Sequence, residues 1–249
     1  MGADVLGWRM KFGVLGPSTN TIVQPEFDAM RPAGVTNHYS RIFTPNATAL
    51  SNESFLAGTA TISAGVADAI ASVLTCEPDH LVLGMSALTF YGGVAGSNEF
   101  KKRVLELSGL DVSMGSEATA AALRVYPGVR KIAFISPYYP VANHEVRRFF
   151  TESGFKVVGD LCLQCPSWIA IAQVPRDTLR EQVLALAKTD ADAIVQVGTN
   201  LCMASLAAEL ESTLGRAVIA INTATYWHAL RSRGIHDKVS GFGRLLQEF

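Results

Sequence analysis

The sequence predicts an α/β fold of two similar halves, each a doubly wound parallel sheet, related by a pseudo-two-fold axis. Two apolar motifs support this prediction, because each occurs twice and in the same order. The segment 11–17 (KFGVLGP) returns as 131–137 (KIAFISP), and the segment 79–86 (DHLVLGMS) returns as 192–199 (DAIVQVGT). Each copy is an apolar run of strand length followed by small or polar residues, which is typical of a buried parallel strand that ends at a ligand site. We therefore expect one site between the two halves.

The first half alternates between short apolar runs and helical patterns. The run 81–84 indicates a buried strand, the Ala-rich segment 53–74 indicates one long helix, and the Ser116 hydroxyl can cap a helix. In chain order, we predict strand 11–15, helix 22–30, strand 38–43, helix 53–74, strand 81–84, helix 100–107, strand 112–114 and helix 116–123. Strands that alternate with helices predict parallel sheets covered by helices on both faces.

The second half repeats this alternation. In chain order, we predict strand 131–135, helix 142–152, strand 156–160, helix 177–188, strand 193–197, helix 201–213, strand 217–221 and helix 223–231. Residues 1–115 with 223–249 are expected to form the first half, and residues 116–222 the second. Ligands of such sheets bind beyond the carboxyl ends of the strands.

Composition and charge favour a small-molecule partner. The 249 residues are 49% hydrophobic and 17% charged, and the net charge at pH 7 is −1. No basic run or basic amphipathic face indicates a nucleic-acid partner. The sequence gives no indication of oligomeric state.

Membrane insertion and disulfide bonding are not expected. The apolar region 62–74 is interrupted by Ser63, Asp68 and Ser72, and the first nine residues lack the basic and apolar regions of a signal peptide. We therefore expect a cytoplasmic protein. Four cysteines in a chain of this length do not suggest a disulfide framework, so we expect reduced thiols.

Four loops at predicted strand ends contain no Asp, Glu, Lys or Arg: 16–20, 84–93, 136–143 and 197–202. They offer hydroxyls, amides, phenols and backbone N–H groups, which can hold an anion without a countercharge. They contain no carboxylate pair for acid–base chemistry and no residues at metal-ligand spacing. The sequence therefore predicts a small carboxylate or dicarboxylate ligand, with neither a metal nor a cofactor.

Four motifs in or near these loops are similar to those of a known family. They are 17–21 (PSTNT), 86–93 (SALTFYGG), Tyr138 with Asn143 five residues later, and 241–245 (GFGRL). With them the chain resembles the maleate isomerase and arylmalonate decarboxylase branch of the aspartate/glutamate racemase superfamily. The resemblance implies that Asn20 holds a substrate carboxylate, that hydroxyls and amides of the 86–91 loop hold the carboxylate that is retained, and that Tyr138 is the pocket tyrosine.

The resemblance also implies that two cysteines are missing. In this superfamily one or two cysteines, one from each half, act as nucleophile or as proton donor and acceptor. The flanking motifs place Met85 and Gly198 at those positions. Thiolate addition and two-base racemisation therefore have no thiol where the family carries one. Substituting Gly198→Cys is expected to place a sulfur near the α-carbon of the ligand, at a strain cost of about 1 kcal/mol if this loop residue has a positive φ.

The candidate catalytic residues are Tyr138, Ser86 and Cys202. The candidate substrate-binding residues are Asn20, Ser86, Thr89, Tyr91, Tyr138, Gly198, Thr199 and Asn200. Within this set, hydroxyls and amides of Asn20, Ser86, Tyr138 and Thr199 are expected to hold the carboxylate together with backbone amides.

Alternatives stay open for several of these residues and for the reaction. Cys202 also fits a buried helix cysteine, and Tyr91 also fits core packing. The proton donor could instead be Tyr139, His144 or a water. Three functions are compatible with the sequence: a decarboxylase that forms an enediolate, a maleate-type isomerase or racemase with a displaced nucleophile, and a catalytically silent anion-binding protein.

Overall fold

Two four-stranded sheets, each with only parallel pairs, lie at the centre of the protein. The computed structural model describes residues 4–46 and 51–249. The first sheet has the order β2-β1-β3-β4, with β1 (Met10–Pro17), β2 (Val35–Ile42), β3 (His80–Leu83) and β4 (Val112–Ser113). The second has the order β6-β5-β7-β8, with β5 (Lys131–Ser136), β6 (Lys156–Cys162), β7 (Ala193–Gln196) and β8 (Ala217–Ala220). The predicted α/β class with two equivalent parallel sheets is confirmed.

Helices precede or follow each strand. Those of the first part of the chain are α1 (Val23–Met30), α2 (Asn52–Ala64), α3 (Val66–Leu74), α4 (Ala87–Phe90), α5 (Gly93–Ser108) and α6 (Gly115–Val125). Those of the second part are α7 (Pro140–Glu152), α8 (Trp168–Ala172), α9 (Arg176–Leu186), α10 (Ala204–Leu214), α11 (Ile221–Ser232) and α12 (Arg244–Glu248). Helix α11 follows the second sheet in the chain. It packs against strand β3 of the first sheet and against helices α1 and α6. The exact division into halves stays a prediction.

The two sheets repeat the same pairing register. Phe12 pairs with His80 in the first sheet, and Ile132 pairs with Ala193 at the equivalent position in the second. Just before each pair, an aspartate carboxylate accepts a hydrogen bond from the first strand: Lys11 N donates to Asp79 and Lys131 N to Asp192, both at 2.7 Å. The central strands are buried on both faces, as expected for a sheet covered by helices.

Several elements differ from the prediction. The helix expected at 53–74 is divided at Gly65 into α2 and α3. Ser116 lies inside α6 rather than at its start, and its hydroxyl bonds to that of Ser97 at 2.9 Å. Helices α4, α8 and α12 were not predicted, because helices of five residues or fewer show no clear apolar period.

The helical stretch Asn52–Leu74 corrects the expectation of no membrane-length apolar segment. It is 23 residues long and contains an 18-residue window with a mean hydropathy of 1.4, so length and composition would allow it to cross a membrane. Only Glu53 and Asp68 are charged in this stretch. Core helices pass the same test, so one such helix is weak evidence for a membrane span. The buried side chains of this stretch, among them Phe55, Ile62 and Ile70, face the protein.

Candidate active site

A pocket lies where the central strands of both sheets end. It occupies about 500 Å³, counting the part open to solvent. Its lining residues come from the ends of β1, β3, β5 and β7 and from helices α2 and α8: Pro17, Thr19, Asn20, Thr59, Ile62, Met85, Ser86, Ala87, Leu88, Pro137, Tyr138, Trp168, Ile171, Gly198, Thr199 and Asn200. The four loops without charged residues thus contribute to one cavity.

Ser86 and Tyr138 form a hydroxyl pair inside this pocket. Their oxygens lie 2.5 Å apart, and Thr199 N donates to Ser86 Oγ at 3.2 Å. Both side chains are buried. Since one hydroxyl of the pair must donate to the other, one O–H remains free to donate to a ligand. Burial raises the pKa of Tyr138, and the hydrogen bond with Ser86 offsets part of this rise. The phenol therefore keeps its proton at neutral pH.

Asn20 adds a second free donor. Its Oδ1 accepts hydrogen bonds from Ile22 N and Val23 N, both at 3.0 Å, which fixes the side-chain amide. One N–H of its Nδ2 donates to Thr199 Oγ1 at 3.2 Å. The other N–H has no partner among the described residues, so it can donate to a ligand.

Thr199 and Asn200 line the pocket, but their side-chain donors are already used. The Thr199 hydroxyl donates to Gly84 O at 3.1 Å. Asn200 Nδ2 donates to Trp168 O at 3.0 Å and Thr19 O at 3.4 Å, and its Oδ1 accepts from the backbone. The two side chains therefore hold the surrounding loops in place, and the expected carboxylate bond from the Thr199 hydroxyl is not available in this arrangement.

Helices α2 and α8 close the pocket with mainly apolar side chains that were not predicted from the sequence. Thr59 and Ile62 come from α2, and Trp168 and Ile171 from α8. These helices follow β2 and β6, which hold equivalent places in the two sheets. Phe55 lies behind this wall, with its ring centroid 5.2 Å from that of Trp168. Helix α8 is too short for its apolar residues to show a helical period in the sequence. The aromatic residue Trp168, outside any predicted helix or strand, was a sequence feature that could have indicated a pocket wall here.

Three of the predicted site residues lie outside the pocket. Cys202 is exposed at the surface, and partial desolvation of its thiol together with the negative charge of Glu26 raises its pKa, which disfavours a reactive thiolate. Thr89 is buried behind the pocket and donates to Ser86 O at 2.8 Å. Tyr91 lines a separate outer groove, and its buried hydroxyl has no partner among the described residues. The alternative donors Tyr139 and His144 do not line the pocket either.

Met85 and Gly198, which the sequence resemblance places where the family carries thiols, both line the pocket. Gly198 has a φ of +107°, and a Cβ at this residue would lie 2.3 Å from Pro137 Cδ. The proline ring cannot swing aside, and an L side chain is strained at this φ. The positive φ expected at Gly198 is present, and the additional clash with Pro137 opposes the placement of a thiol by Gly198→Cys on this backbone.

The lining contains no Asp, Glu, Lys, Arg, His or Cys. Throughout the described ranges 4–46 and 51–249, no group of three or more His, Cys, Asp and Glu side chains is arranged to hold a metal ion. The pocket thus combines neutral hydrogen-bond donors with an apolar wall. Such a site can stabilise negative charge but has no side chain with an ordinary base or thiolate function.

Two enzymes are similar to this chain in sequence. The arylmalonate decarboxylase family model matches residues 40–246. Arylmalonate decarboxylase of Bordetella bronchiseptica is 29% identical over 166 residues, which are 66% of this chain and 69% of that protein. Maleate isomerase of Geobacillus stearothermophilus is 31% identical over 121 residues, 48% of each protein.

Solved structures of a maleate isomerase and of an arylmalonate decarboxylase share the fold. A Nocardia farcinica maleate cis-trans isomerase mutant with a covalently bound succinylcysteine intermediate has a TM-score of 0.84 at 23% identity, covering 96% of this chain and 99% of that one. A liganded mutant of arylmalonate decarboxylase has a TM-score of 0.82 at 22% identity, covering 96% and 100%. The match over most of the chain shows that this protein belongs to the arylmalonate decarboxylase family, in the enzyme branch that also contains the maleate isomerases.

Proposed function

We propose that this protein is a cofactor-independent decarboxylase of small substituted malonates that works through an enediolate intermediate. The observation that carries the proposal is the lining of the pocket, where neutral donors face an apolar wall and no base or thiol is present. Decarboxylation needs no base, because the electron pair of the breaking C–C bond stays on the α-carbon when carbon dioxide leaves. Racemisation needs a base and thiolate addition needs a thiol, and the lining of this pocket contains neither.

The free O–H of the Ser86–Tyr138 pair and the free N–H of Asn20 would bind the carboxylate that is retained. As carbon dioxide leaves, negative charge moves onto the oxygens of this carboxylate, which strengthens the hydrogen bonds to it. One such preorganised donor contributes about 3 kcal/mol to transition-state stabilisation. The donors therefore accelerate the step that forms the enediolate.

The departing carboxylate would lie against the apolar wall of Ile62, Leu88 and Ile171. An ionised carboxylate is poorly solvated there, whereas carbon dioxide is neutral and apolar. The wall thus favours the product of the bond cleavage over the bound dicarboxylate.

The enediolate must then receive a proton at the α-carbon. We assign this proton to the Tyr138 hydroxyl, with Ser86 donating within the pair so that the free O–H that faces the ligand is that of Tyr138. The phenolate left after transfer regains a proton from water through the pocket mouth. Atoms and charge balance with no further reactant.

A maleate-isomerase-like reaction is the second candidate, because one relative is a maleate isomerase and a structural neighbour carries a succinylcysteine. Such a route in this chain would need a thiol from outside the pocket, such as Cys202. Iodoacetamide should abolish an isomerase of this kind and leave a thiol-free decarboxylase active.

The test is carbon dioxide release from phenylmalonate and 2-methyl-2-phenylmalonate, alongside conversion of maleate to fumarate. We expect release from malonates that persists after iodoacetamide treatment, with one deuterium at the product α-carbon in D2O. Fumarate formation without carbon dioxide release would support the isomerase. Neither activity, with phenylmalonate still bound, would support a silent anion-binding protein.

A further inference from the structure

A largely enclosed carboxylate lies behind the pocket, on helix α1. Glu26 Oε1 accepts hydrogen bonds from Met203 N at 3.1 Å and Ala204 N at 2.9 Å, at the start of α10. Its Oε2 accepts from Asn222 Nδ2 at 2.6 Å. Glu26 itself does not line the pocket. A carboxylate with these three donors is held in one orientation.

Asn222 connects this carboxylate to the pocket. Its Nδ2 donates to Glu26 and also to Thr199 O, the latter at 2.9 Å. Asn222 is 1% exposed, and its Oδ1 has no partner within the described residues. The amide is therefore oriented so that its Nδ2 donates to two acceptors while its Oδ1 accepts no hydrogen bond. This orientation is favourable only because Glu26 is an acceptor.

Thr199 is held from both sides. Asn222 binds its carbonyl, and its N–H donates to Ser86 Oγ, the hydroxyl paired with Tyr138. The carbonyl and the N–H of Thr199 belong to successive peptide groups joined at its Cα, so a shift of the Thr199 backbone would also move the N–H that orients Ser86. The hydrogen bonds thus run without a break from Glu26 through Asn222 and Thr199 to the hydroxyl pair.

We propose that Glu26 is a positioning residue, which acts through Asn222 to fix Thr199 and thereby the Ser86–Tyr138 donors of the pocket. The carboxylate also joins α1, which follows the first strand, to the 198–203 loop, which follows the seventh. Its role is to keep donors from different parts of the chain at a fixed separation. The kinetic part of the test rests on the proposed decarboxylation, and the exchange part does not.

Glu26→Gln is the most informative variant, because it keeps the size and removes one acceptor. The Gln carbonyl can still accept from Met203 N and Ala204 N, but its NH2 group then meets the NH2 group of Asn222. Turning the Asn222 amide over relieves this contact only by placing Oδ1 against Thr199 O. Either arrangement disrupts the hold on Thr199.

Glu211→Gln is the matched control. Glu211 is 5% exposed and accepts from a backbone N–H, that of Arg244, and from a side chain, Tyr126, both at 2.8 Å. Like Glu26, it accepts hydrogen bonds from both backbone and side-chain donors, but none of its bonds leads to the pocket. Asn222→Ala provides a second way to break the connection while leaving Glu26 in place.

Two readouts are measured on all three variants and the original protein: steady-state decarboxylation of phenylmalonate, and amide hydrogen exchange of peptides covering 198–203. For Glu26→Gln and Asn222→Ala we expect kcat to fall by about tenfold or more with KM changed less than about threefold, and exchange to speed up. Glu211→Gln should leave both readouts unchanged.

Unchanged exchange and kcat in Glu26→Gln would overturn the proposal, as would an equal fall of kcat in Glu211→Gln. Faster exchange with unchanged kcat would also overturn it, since the positioning would then have no effect on the reaction. If the original protein releases no carbon dioxide, the proposed function fails separately, and exchange in the variants still decides whether Glu26 holds the loop.

Discussion

Ser86 and Tyr138 hydrogen-bond to each other across the boundary between the two sheets. Ser86 follows β3 of the first sheet, and Tyr138 follows β5 of the second. Neither sheet alone could supply the pair, so the donor that faces the ligand exists only when both are assembled.

Removing either hydroxyl should therefore weaken the site strongly. We expect Ser86→Ala and Tyr138→Phe each to lower kcat/KM for phenylmalonate by about 10- to 100-fold, corresponding to about 1.4 to 3 kcal/mol. Because the hydroxyls share one bond, the double variant should lose less than the two losses multiplied. Tyr91→Phe is the control, since its hydroxyl lies outside the pocket. Independent losses in the double variant would contradict a coupled pair.

A thiol introduced at Gly198 or at Met85, the two positions that the resemblance assigns to family cysteines, should destabilise the protein to different degrees. Gly198→Cys should destabilise the protein by about 2 kcal/mol or more, because of the positive φ and the clash with Pro137. Met85→Cys removes volume instead and should fold with a smaller loss. We expect only Met85→Cys to give a pocket thiol that phenylmalonate protects from iodoacetamide. Urea unfolding and alkylation rates test both, and a stable Gly198→Cys protein would contradict the observed backbone.

The buried histidine His80 should make stability depend on pH. Its Nε2 lies 2.9 Å from Ser113 Oγ, which lies 2.9 Å from His228 Nδ1, and burial lowers the pKa of His80 to about 4. Its pKa is thus lower in the folded protein than in the unfolded chain, where it is about 6.5. Protonation therefore favours unfolding. The stabilisation is complete above about pH 6.5, and about 3 kcal/mol is lost as the pH falls toward 4.

Urea unfolding at about pH 7 and about pH 4.5 measures this loss. His80→Gln should show a smaller difference between the two pH values than the original protein, whereas the exposed His236→Gln should leave it unchanged. The same pH dependence in His80→Gln would assign the acid sensitivity to other groups.

Gly58 should resist substitution although it lies in a helix. A Gly→Ala change inside a helix normally stabilises by about 1 kcal/mol. A Cβ at Gly58, however, would lie 2.7 Å from Trp168 Cζ2, so Gly58→Ala should lower Tm and shift the Trp168 fluorescence. Ala60→Gly, on the exposed side of α2, should lower Tm without the fluorescence shift. A more stable Gly58→Ala protein would show that Trp168 moves freely.

The strand ends could be predicted from the sequence because a repeated apolar run fixes a strand, and parallel strands deliver their carboxyl ends to one edge. Asn20, Ser86, Tyr138 and Thr199 meet in the pocket for this reason. The apolar wall from α2 and α8 was not predicted, since Ile62 and Trp168 lie on helices whose angle to the sheet depends on packing. Sequence also could not reveal that the Thr199 hydroxyl is already used, or that Cys202 points outward, because both depend on side-chain geometry.

The aspartate bonds at Asp79 and Asp192 lie at the amino ends of the central strands, opposite the pocket. Strand register and reaction chemistry are therefore specified at opposite edges of the same sheets. A residue such as Met85 can differ from a cysteine without disturbing the contacts that align the strands. The same fold can in this way acquire, lose or exchange its reactive group while the contacts that set strand register stay unchanged.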